Sequence, residues 1–240
     1  MPVLWDRNSI LQAIKEHPDM ARRLWVEEGY ERVSDEFIKE AKRQGVPFKI
    51  IPRVTFVKRF GGARLHVCLE RDEVSYANPA SFLADVALKP DPIVGAFDGI
   101  YDPQNLGNII RSAACLEVDG IILPKDRSCG VTDTAARIAR GATEHVQVVK
   151  VVNLARYMDD MKKAGFFCYG LDERGTKPLW EENLKGPVCL VLGSEDGLRR
   201  LTREKCDGIL RVPTSLSFAS LNVATAFALS IYEVRRQRAV

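Results

Sequence analysis

Residues 187–198 read PVCLVLGSEDGL and residues 208–213 read GILRVP, and each is an apolar run that ends in a polar, turn-rich segment. After the second run, Ser220, Leu221 and Asn222 open a long apolar segment with a basic tail. A buried strand that opens into Gly, Ser, Glu or Asn is where an α/β sheet places ligands, at the carboxyl ends of its strands. An ordinary core strand with a packing helix is the alternative, and these runs alone leave both interpretations open.

From residue 93 onward, strand-like apolar runs alternate with amphipathic ones. Strands are predicted at 93–97, 120–123, 146–152, 166–171, 188–192 and 209–212. Helices are predicted at 108–116, 132–140, 154–163 and 221–236. Such regular alternation predicts an α/β fold, with a mostly parallel sheet and helices on both of its faces.

The first part of the chain predicts a separate, smaller α/β domain over residues 1–72. Its predicted helices cover residues 8–16 and a segment that Ser34 opens, with a helical turn at 54–60, and its predicted strands cover 22–27, 48–51 and 65–69. Prolines then surround one short amphipathic helix, which predicts a linker at residues 73–90 and a second domain over 91–240.

Composition excludes several classes of protein. The 240 residues carry a formal net charge of +3, which is compatible with a nucleic-acid partner without requiring one. The six cysteines form no C-x-x-C pair and are expected to stay reduced in a cytoplasmic protein. The three histidines lack ligand spacing, so no metal site is expected. We find neither a signal-peptide core nor an apolar run near the ~18 residues of a membrane span.

Three polar segments at predicted strand ends remain as candidates for chemistry. They read DPQNLGNIIRSA (102–113), LGSEDGL (192–198) and VPTSLSFASLNVA (212–224). The sequence contains no G-x-G-x-x-G, no G-x-x-x-x-G-K-[ST] and no G-x-S-x-G, so dinucleotide, nucleoside-triphosphate and serine-hydrolase interpretations lose their main support.

In this order and at these strand ends, the three segments resemble the SpoU/TrmH family of RNA ribose 2′-O-methyltransferases in the SPOUT superfamily. The likeness covers residues 93–238, and residues 1–72 resemble the family's ribosomal-protein-like substrate-binding domain. The resemblance implies a catalytic domain with a deep C-terminal trefoil knot, S-adenosyl-L-methionine as the methyl donor, and a homodimer whose active site uses both subunits.

The resemblance also implies roles for nine residues. The expected catalytic residues are Asn105, Arg111, Glu195, Ser220 and Asn222. The expected cofactor-binding residues are Leu192, Gly193, Val212 and Leu221. Arg111 would engage the target ribose or its phosphate, with Asn105 and Glu195 helping to orient it. From the residues alone, Asn105 could be a turn residue, and Ser220 and Asn222 could be helix caps.

The expected substrate is RNA, with ribosomal RNA favoured over transfer RNA because a dedicated N-terminal domain is present. Basic residues of that domain suit phosphate contacts, with Phe56 and Phe60 interleaved for stacking, although a solvated face is equally open. The basic residues are Arg22, Arg23, Arg53, Lys58, Arg59 and Arg64.

Two alternatives stay open. One is a tRNA 2′-O-methyltransferase. The other is a knotted RNA-binding protein with weak or lost activity, because residues 193–197 are one residue shorter than the family's Gly-x-Glu-Gly-x-Gly and Pro213 lacks the usual glycine shortly after it. Ala224 and the segment His66-Val67-Cys68 also depart from the family's pattern.

Overall fold

The computed structural model describes residues 3–61, 66–72, 76–194, 196–215 and 220–239. The strands in this part of the chain are β1 Val3–Leu4, β2 Ala21–Glu27, β3 Phe48–Ile51, β4 Val67–Arg71, β5 Ile93–Asp98, β6 Gly120–Pro124, β7 Gln147–Val151, β8 Phe167–Leu171, β9 Lys177–Pro178, β10 Val188–Gly193 and β11 Gly208–Arg211. The α-helices are α1 Arg7–Glu16, α2 Asp35–Gln44, α3 Arg53–Phe60, α4 Pro79–Ala87, α5 Pro103–Cys115, α6 Asp133–Ala139, α7 Leu154–Lys163, α8 Arg200–Lys205 and α9 Val223–Arg238. None of these helices is long and apolar enough to cross a membrane.

The chain divides into two compact units, Met1–Val74 with Val131–His145, and Ser75–Gly130 with Val146–Val240. The domain boundaries given by the sequence stay a prediction, and the contacts divide the chain differently in two places. Residues 79–87, assigned to the linker, form α4, whose Phe82 and Val86 lie in the core of the second unit. Residues 131–145, assigned to the second domain, belong to the first unit.

The first unit is built on a four-stranded sheet in the order β1-β4-β2-β3, in which β2 and β3 are parallel and the other pairs are antiparallel. Ile10 and Ile14 of α1 pack with Leu24 of β2 in its core, which Ala136 of α6 joins. The side chains of Arg71 and Glu144 form a buried ion pair in the same unit.

Two aromatic residues of the first unit correct the sequence interpretation. Phe56 and Phe60 are buried and pack against each other in a small core with Trp25. The prediction that they stack on RNA is therefore wrong, because their rings already lie within the protein. The helical spacing of α3 directs them to its inner face, and Lys58 and Arg59 between them to the outer face.

The second unit is built on a seven-stranded sheet in the order β7-β6-β5-β10-β8-β11-β9, in which every pair is parallel. The side chains of β5 pack against helices on both faces of the sheet, so both faces of this strand are apolar. Val94 and Ala96 point into the core cluster that α4 and α7 share. Phe97 points to the opposite face and meets Phe227 of α9 edge-on, with ring centroids 4.9 Å apart. The predicted parallel sheet with helices on both faces is confirmed.

The strand order positions the site. β10 lies between β5 and β8, although these three strands are far apart in the sequence. The register pairs Gly193 with Asp98 and Leu192 with Leu171, so the three strands end at the same level. The segments that follow them therefore meet at one edge of the sheet.

Candidate functional site

A cavity of about 660 Å³ opens at the carboxyl ends of β5, β10 and β8. Seven of the nine residues predicted to act in a site line it: Asn105, Leu192, Gly193, Val212, Ser220, Leu221 and Asn222. They come from three segments that are remote in sequence, and the parallel sheet brings their ends together. The structure brings these three segments together, whereas the role of each residue stays a prediction.

Asn105 and Asn222 meet directly. Asn105 lies in the first turn of α5. Asp102 caps this helix, and its side chain accepts a hydrogen bond of 2.8 Å from the backbone N–H of Gln104. Asn222 caps α9 in the same manner, accepting 2.9 Å from the N–H of Ala224. Its side-chain NH₂ then donates to Oδ1 of Asn105 over 2.8 Å. Asn222 is therefore both a helix cap and a cavity residue, so the two interpretations hold together.

Gly193 ends β10, and the chain folds back over it. A Cβ atom at Gly193 would lie 2.1 Å from the carbonyl carbon of Gly197, so only glycine fits there. Gly197 has a φ of +85° and donates its N–H to the carbonyl of Ser194 over 2.9 Å, which closes a tight turn. The need for glycine at residue 193 thus comes from the protein's own backbone.

Two of the predicted residues are not part of the cavity as described. Glu195 lies outside the residues that the structure describes. Arg111 is exposed on α5 and is not among the residues of this chain that line the cavity. It follows Asn105 by six residues, which on an α-helix turns its side chain by about 240° and shifts it about 9 Å along the axis.

The sequence interpretation missed residues that follow β8. Asp172, Glu173 and Arg174 line the cavity, and they come directly after a strand that was correctly predicted. The signal was the same as at the other strand ends, an apolar run that opens into polar residues. Tyr101, whose side chain is largely exposed at the cavity, was also missed.

The buried carboxylate of Asp98 binds Arg199, which follows the cavity residues Asp196 and Gly197 in the chain. Asp98 ends β5 and accepts hydrogen bonds from Arg199, 2.6 Å from its Nε and 3.0 Å from its backbone N–H. These side-chain hydrogen bonds raise the pKa of the Arg199 guanidinium, against the opposing effect of burial. Among the described residues, no group of three or more His, Cys, Asp and Glu is arranged to hold a metal ion.

Comparison with known proteins gives consistent results. Residues 92–232 match the model of the SpoU rRNA Methylase family. The chain is 34% identical to the 23S rRNA (guanosine-2′-O-)-methyltransferase RlmB of Xanthomonas campestris, covering 96% of this chain and 94% of that protein. It is 31% identical to the putative TrmH family tRNA/rRNA methyltransferase YacO of Bacillus subtilis, covering 97% and 94%.

A solved structure shares the fold. The SpoU methyltransferase AviRb of Streptomyces viridochromogenes, in complex with the cofactor AdoMet, superposes with a TM-score of 0.80 at 22% identity, covering 99% of this chain and 90% of that one. The resemblance drawn from the three polar segments is thereby confirmed. The chain belongs to the SpoU rRNA methylase family, within the SpoU/TrmH RNA methyltransferases of the SPOUT superfamily.

Proposed function

We propose that this protein is an S-adenosylmethionine-dependent methyltransferase that modifies the 2′-oxygen of a guanosine in 23S ribosomal RNA. The observation that carries the proposal is the cavity at the sheet edge, where Asn105, Gly193 and Asn222 meet from three separate segments. The RlmB relatives, which match nearly the whole chain, give the substrate class and the base.

The cavity suits the cofactor in size and in chemistry. Its volume of about 660 Å³ is within the range of small-molecule sites. Leu192, Val212 and Leu221 offer apolar surface of the kind that an adenine ring requires. Asp102, Glu173 and Asp196 add negative charge around a ligand that carries a positive sulfonium. When bound, the cofactor supplies an activated methyl group.

The residues of this chain would then prepare the ribose for attack. As the 2′-hydroxyl becomes the nucleophile, negative charge develops on its oxygen, and a guanidinium stabilises that charge while staying protonated. Arg111 takes this role and anchors the neighbouring phosphate. Asn222 holds Asn105 over 2.8 Å at the cavity, and Ser220 adds a hydroxyl beside them.

The position of Arg111 supports a homodimer. Arg111 lies on the outer side of α5, away from the cavity of its own chain. On α9, which packs beside α5, Leu229 is 45% exposed and Tyr232 is 61% exposed. We call this outer surface of α5 and α9 the α5/α9 face. A two-fold pairing through it would cover these apolar side chains and bring Arg111 towards the cavity of the partner subunit.

Three further parts of the proposal rest on the family resemblance. The C-terminal segment would form a trefoil knot. The first unit would contact RNA, with Lys58 as an exposed cation. Three arginines of that unit already pair with carboxylates: Arg22 with Asp72 over 2.6 Å, Arg53 with Glu27 over 3.6 Å and Arg59 with Glu70 over 2.6 Å. The location would be cytoplasmic, which suits six free cysteines.

Calorimetric titration with S-adenosylhomocysteine, the product form of the cofactor, tests the cofactor site. We expect binding at about micromolar strength, a range that a well-formed cavity supports. The rival function is RNA binding without catalysis, which the shortened turn after β10 favours. Absence of binding up to about millimolar concentration, with the protein folded, would support that rival.

A further inference from the structure

The turn that follows β10 is attached to the sheet at both sides. We call the segment that connects β10 to α8, with Ser194, Gly197 and Leu198, the β10–α8 turn. Ser194 and Gly197 line the cavity, so the shape of this turn sets part of the cavity wall. Within the turn, Leu198 packs against the core of the second unit, and the residues after it attach to the strands on either side of β10.

The first attachment is to β5. Asp98, whose side chain is fully buried, accepts a hydrogen bond from the backbone N–H of Arg199 over 3.0 Å and from its Nε over 2.6 Å, and it also contacts Nη2. A carboxylate that receives a backbone N–H and two guanidinium donors fixes both the main chain and the side chain of Arg199. Arg199 is the residue at which the turn ends and α8 begins.

The second attachment is to β8, on the other side of β10. Asp172 follows β8, and its side chain is 7% exposed. Its Oδ1 accepts the N–H of Arg174 over 2.8 Å, and its Oδ2 accepts Nη1 of Arg203 over 2.6 Å. Arg203 lies on α8, one helical turn beyond Arg199. The helix is therefore held by carboxylates at the ends of both strands that flank β10.

The turn between these attachments has no room to move closer to β10. Gly193 lies directly under the Gly197 carbonyl, at a distance that leaves no room for a Cβ atom. A displacement of α8 would therefore move Gly197 and Ser194 against the end of β10, and it would change the cavity wall. The carboxylates of Asp98 and Asp172 are both buried. Breaking either ion pair is therefore unfavourable, because it would leave an unpaired charge in a desolvated position.

We propose that Asp98 and Asp172, acting through Arg199 and Arg203, form a two-sided clamp that positions the β10–α8 turn for the cofactor. The clamp keeps the shortened turn in a binding shape without the additional glycine that the family's pattern has. This inference rests on the proposed function, since it assigns the cavity to the cofactor. Asp98 and Arg203 do not line the cavity, so both act as positioning residues.

The test uses variants that loosen the clamp without altering the cavity lining. Asp98→Asn keeps the shape of the side chain but removes its charge, and Arg199→Ala and Arg203→Ala each remove one guanidinium. Arg199→Lys restores the charge without the forked geometry. Arg200→Ala is the matched control, because Arg200 is an arginine of the same helix that is 79% exposed and pairs only along the surface with Glu204. S-adenosylhomocysteine affinity is measured by calorimetry, and the exchange of backbone amides is followed by mass spectrometry.

We expect Asp98→Asn, Arg199→Ala and Arg203→Ala to bind S-adenosylhomocysteine about tenfold more weakly, with Arg199→Lys in between. Amide exchange should accelerate in the β10–α8 turn while it stays unchanged in β2 and α1, which a general loss of stability would not reproduce. Arg200→Ala should match the unmodified protein.

Affinities within about twofold of the unmodified protein for Asp98→Asn and Arg199→Ala, with unchanged exchange in the turn, would overturn the clamp. If Asp98→Asn or Arg199→Ala does not fold, Arg199→Lys decides, because it keeps a positive charge beside the buried Asp98 carboxylate and removes only the forked geometry. If the unmodified protein itself fails to bind, the proposed function fails. The clamp is then judged by exchange alone: faster exchange in the turn of Arg199→Ala supports it, and unchanged exchange contradicts it.

Discussion

The side-chain NH₂ of Asn222 donates a hydrogen bond of 2.8 Å to Oδ1 of Asn105, and these residues are 117 positions apart in the chain. Because Asn222 uses its own Oδ1 to cap α9, both ends of its amide are occupied. This contact joins the starts of α5 and α9 at the mouth of the cavity. It gives a direct way to separate the structural role of Asn222 from a role in the reaction.

Asn222→Asp should separate the two roles. Aspartate caps a helix as well as asparagine, so the melting temperature should fall by less than about 2 °C. An aspartate cannot donate to Asn105, and its carboxylate would repel that oxygen, so methyl transfer should fall about tenfold or more. Asn153→Asp is the control, since the Asn153 side chain caps α7 by accepting the N–H of Arg156 over 3.0 Å, and it should leave both properties unchanged. Equal activity of Asn222→Asp and the unmodified protein would show that the contact is only structural.

Arg111→Ala should abolish methyl transfer without affecting the fold. Its side chain is exposed, so the melting temperature should change by less than about 2 °C. Loss of charge stabilisation at the ribose should lower kcat by about 100-fold or more, while S-adenosylhomocysteine still binds. Arg111→Lys should recover a part of the rate if charge is what matters. Arg156→Ala, an exposed arginine on α7, serves as the control. A rate near that of the unmodified protein would remove Arg111 from the mechanism.

Gly193→Ala should damage the cavity wall. The added methyl would collide with the Gly197 carbonyl group, so the turn must shift, at a cost of about 1–3 kcal/mol in unfolding free energy. The affinity of Gly193→Ala for S-adenosylhomocysteine should fall together with its unfolding free energy. The control is Gly208→Ala on β11, where a Cβ would meet the Tyr169 ring at an ordinary 3.5 Å. Denaturant unfolding and calorimetry measure both effects, and an unchanged affinity in Gly193→Ala would contradict the geometry described.

Tyr232→Glu should convert the proposed homodimer to monomers. A charge on the α5/α9 face would be buried without a partner on association, which is strongly unfavourable. Val152→Glu is the control, since Val152 is 81% exposed outside that face. Analytical ultracentrifugation measures the mass of each variant. A dimer that persists in Tyr232→Glu would place the interface elsewhere.

Cys68, which is buried, and Cys206, which is half-buried, should resist alkylation over a wide pH range. Burial raises the pKa of the Cys206 thiol to about 12 and also raises the pKa of Cys68. Because the thiolate is the reactive form, raising the pH to 9 should leave both unmodified in the folded protein. In denaturant, both should react as ordinary cysteines do above a pKa of about 8.5. Iodoacetamide labelling followed by peptide mass spectrometry measures this, and rapid labelling of Cys68 under native conditions would contradict its burial.

The site was predictable from sequence to the extent that its parts lie at strand ends. In a parallel sheet the carboxyl ends of neighbouring strands meet, so polar residues after residues 97, 192 and 212 had to lie near one edge. That argument reached the segments that contain Asn105, Gly193 and Asn222, and the family resemblance then implied the residues themselves. It did not reach the contact between the two asparagines, because the neighbours of β10 are set by long-range pairing that no local pattern contains.

Other features needed the structure for physical reasons. The sequence pattern of α6 predicts a helix, with small buried residues such as Ala135 and Ala139. The pattern does not indicate which hydrophobic core that helix joins. The arginines of α8 look like solvated charges in sequence, since nothing local signals a buried carboxylate beneath Arg199. Phe56 and Phe60 lie among arginines, and only the helical geometry of α3 turns them inward.

The most direct measurement is the chemical identity of the methylated product. The purified protein is incubated with S-adenosylmethionine and unmodified 23S ribosomal RNA, with transfer RNA in a parallel reaction, and the RNA is digested to nucleosides for mass spectrometry. We predict 2′-O-methylguanosine from ribosomal RNA, lost in Arg111→Ala and retained in Arg156→Ala. A methyl group on a base, or no methyl transfer by a folded protein that binds S-adenosylhomocysteine, would contradict the proposed function.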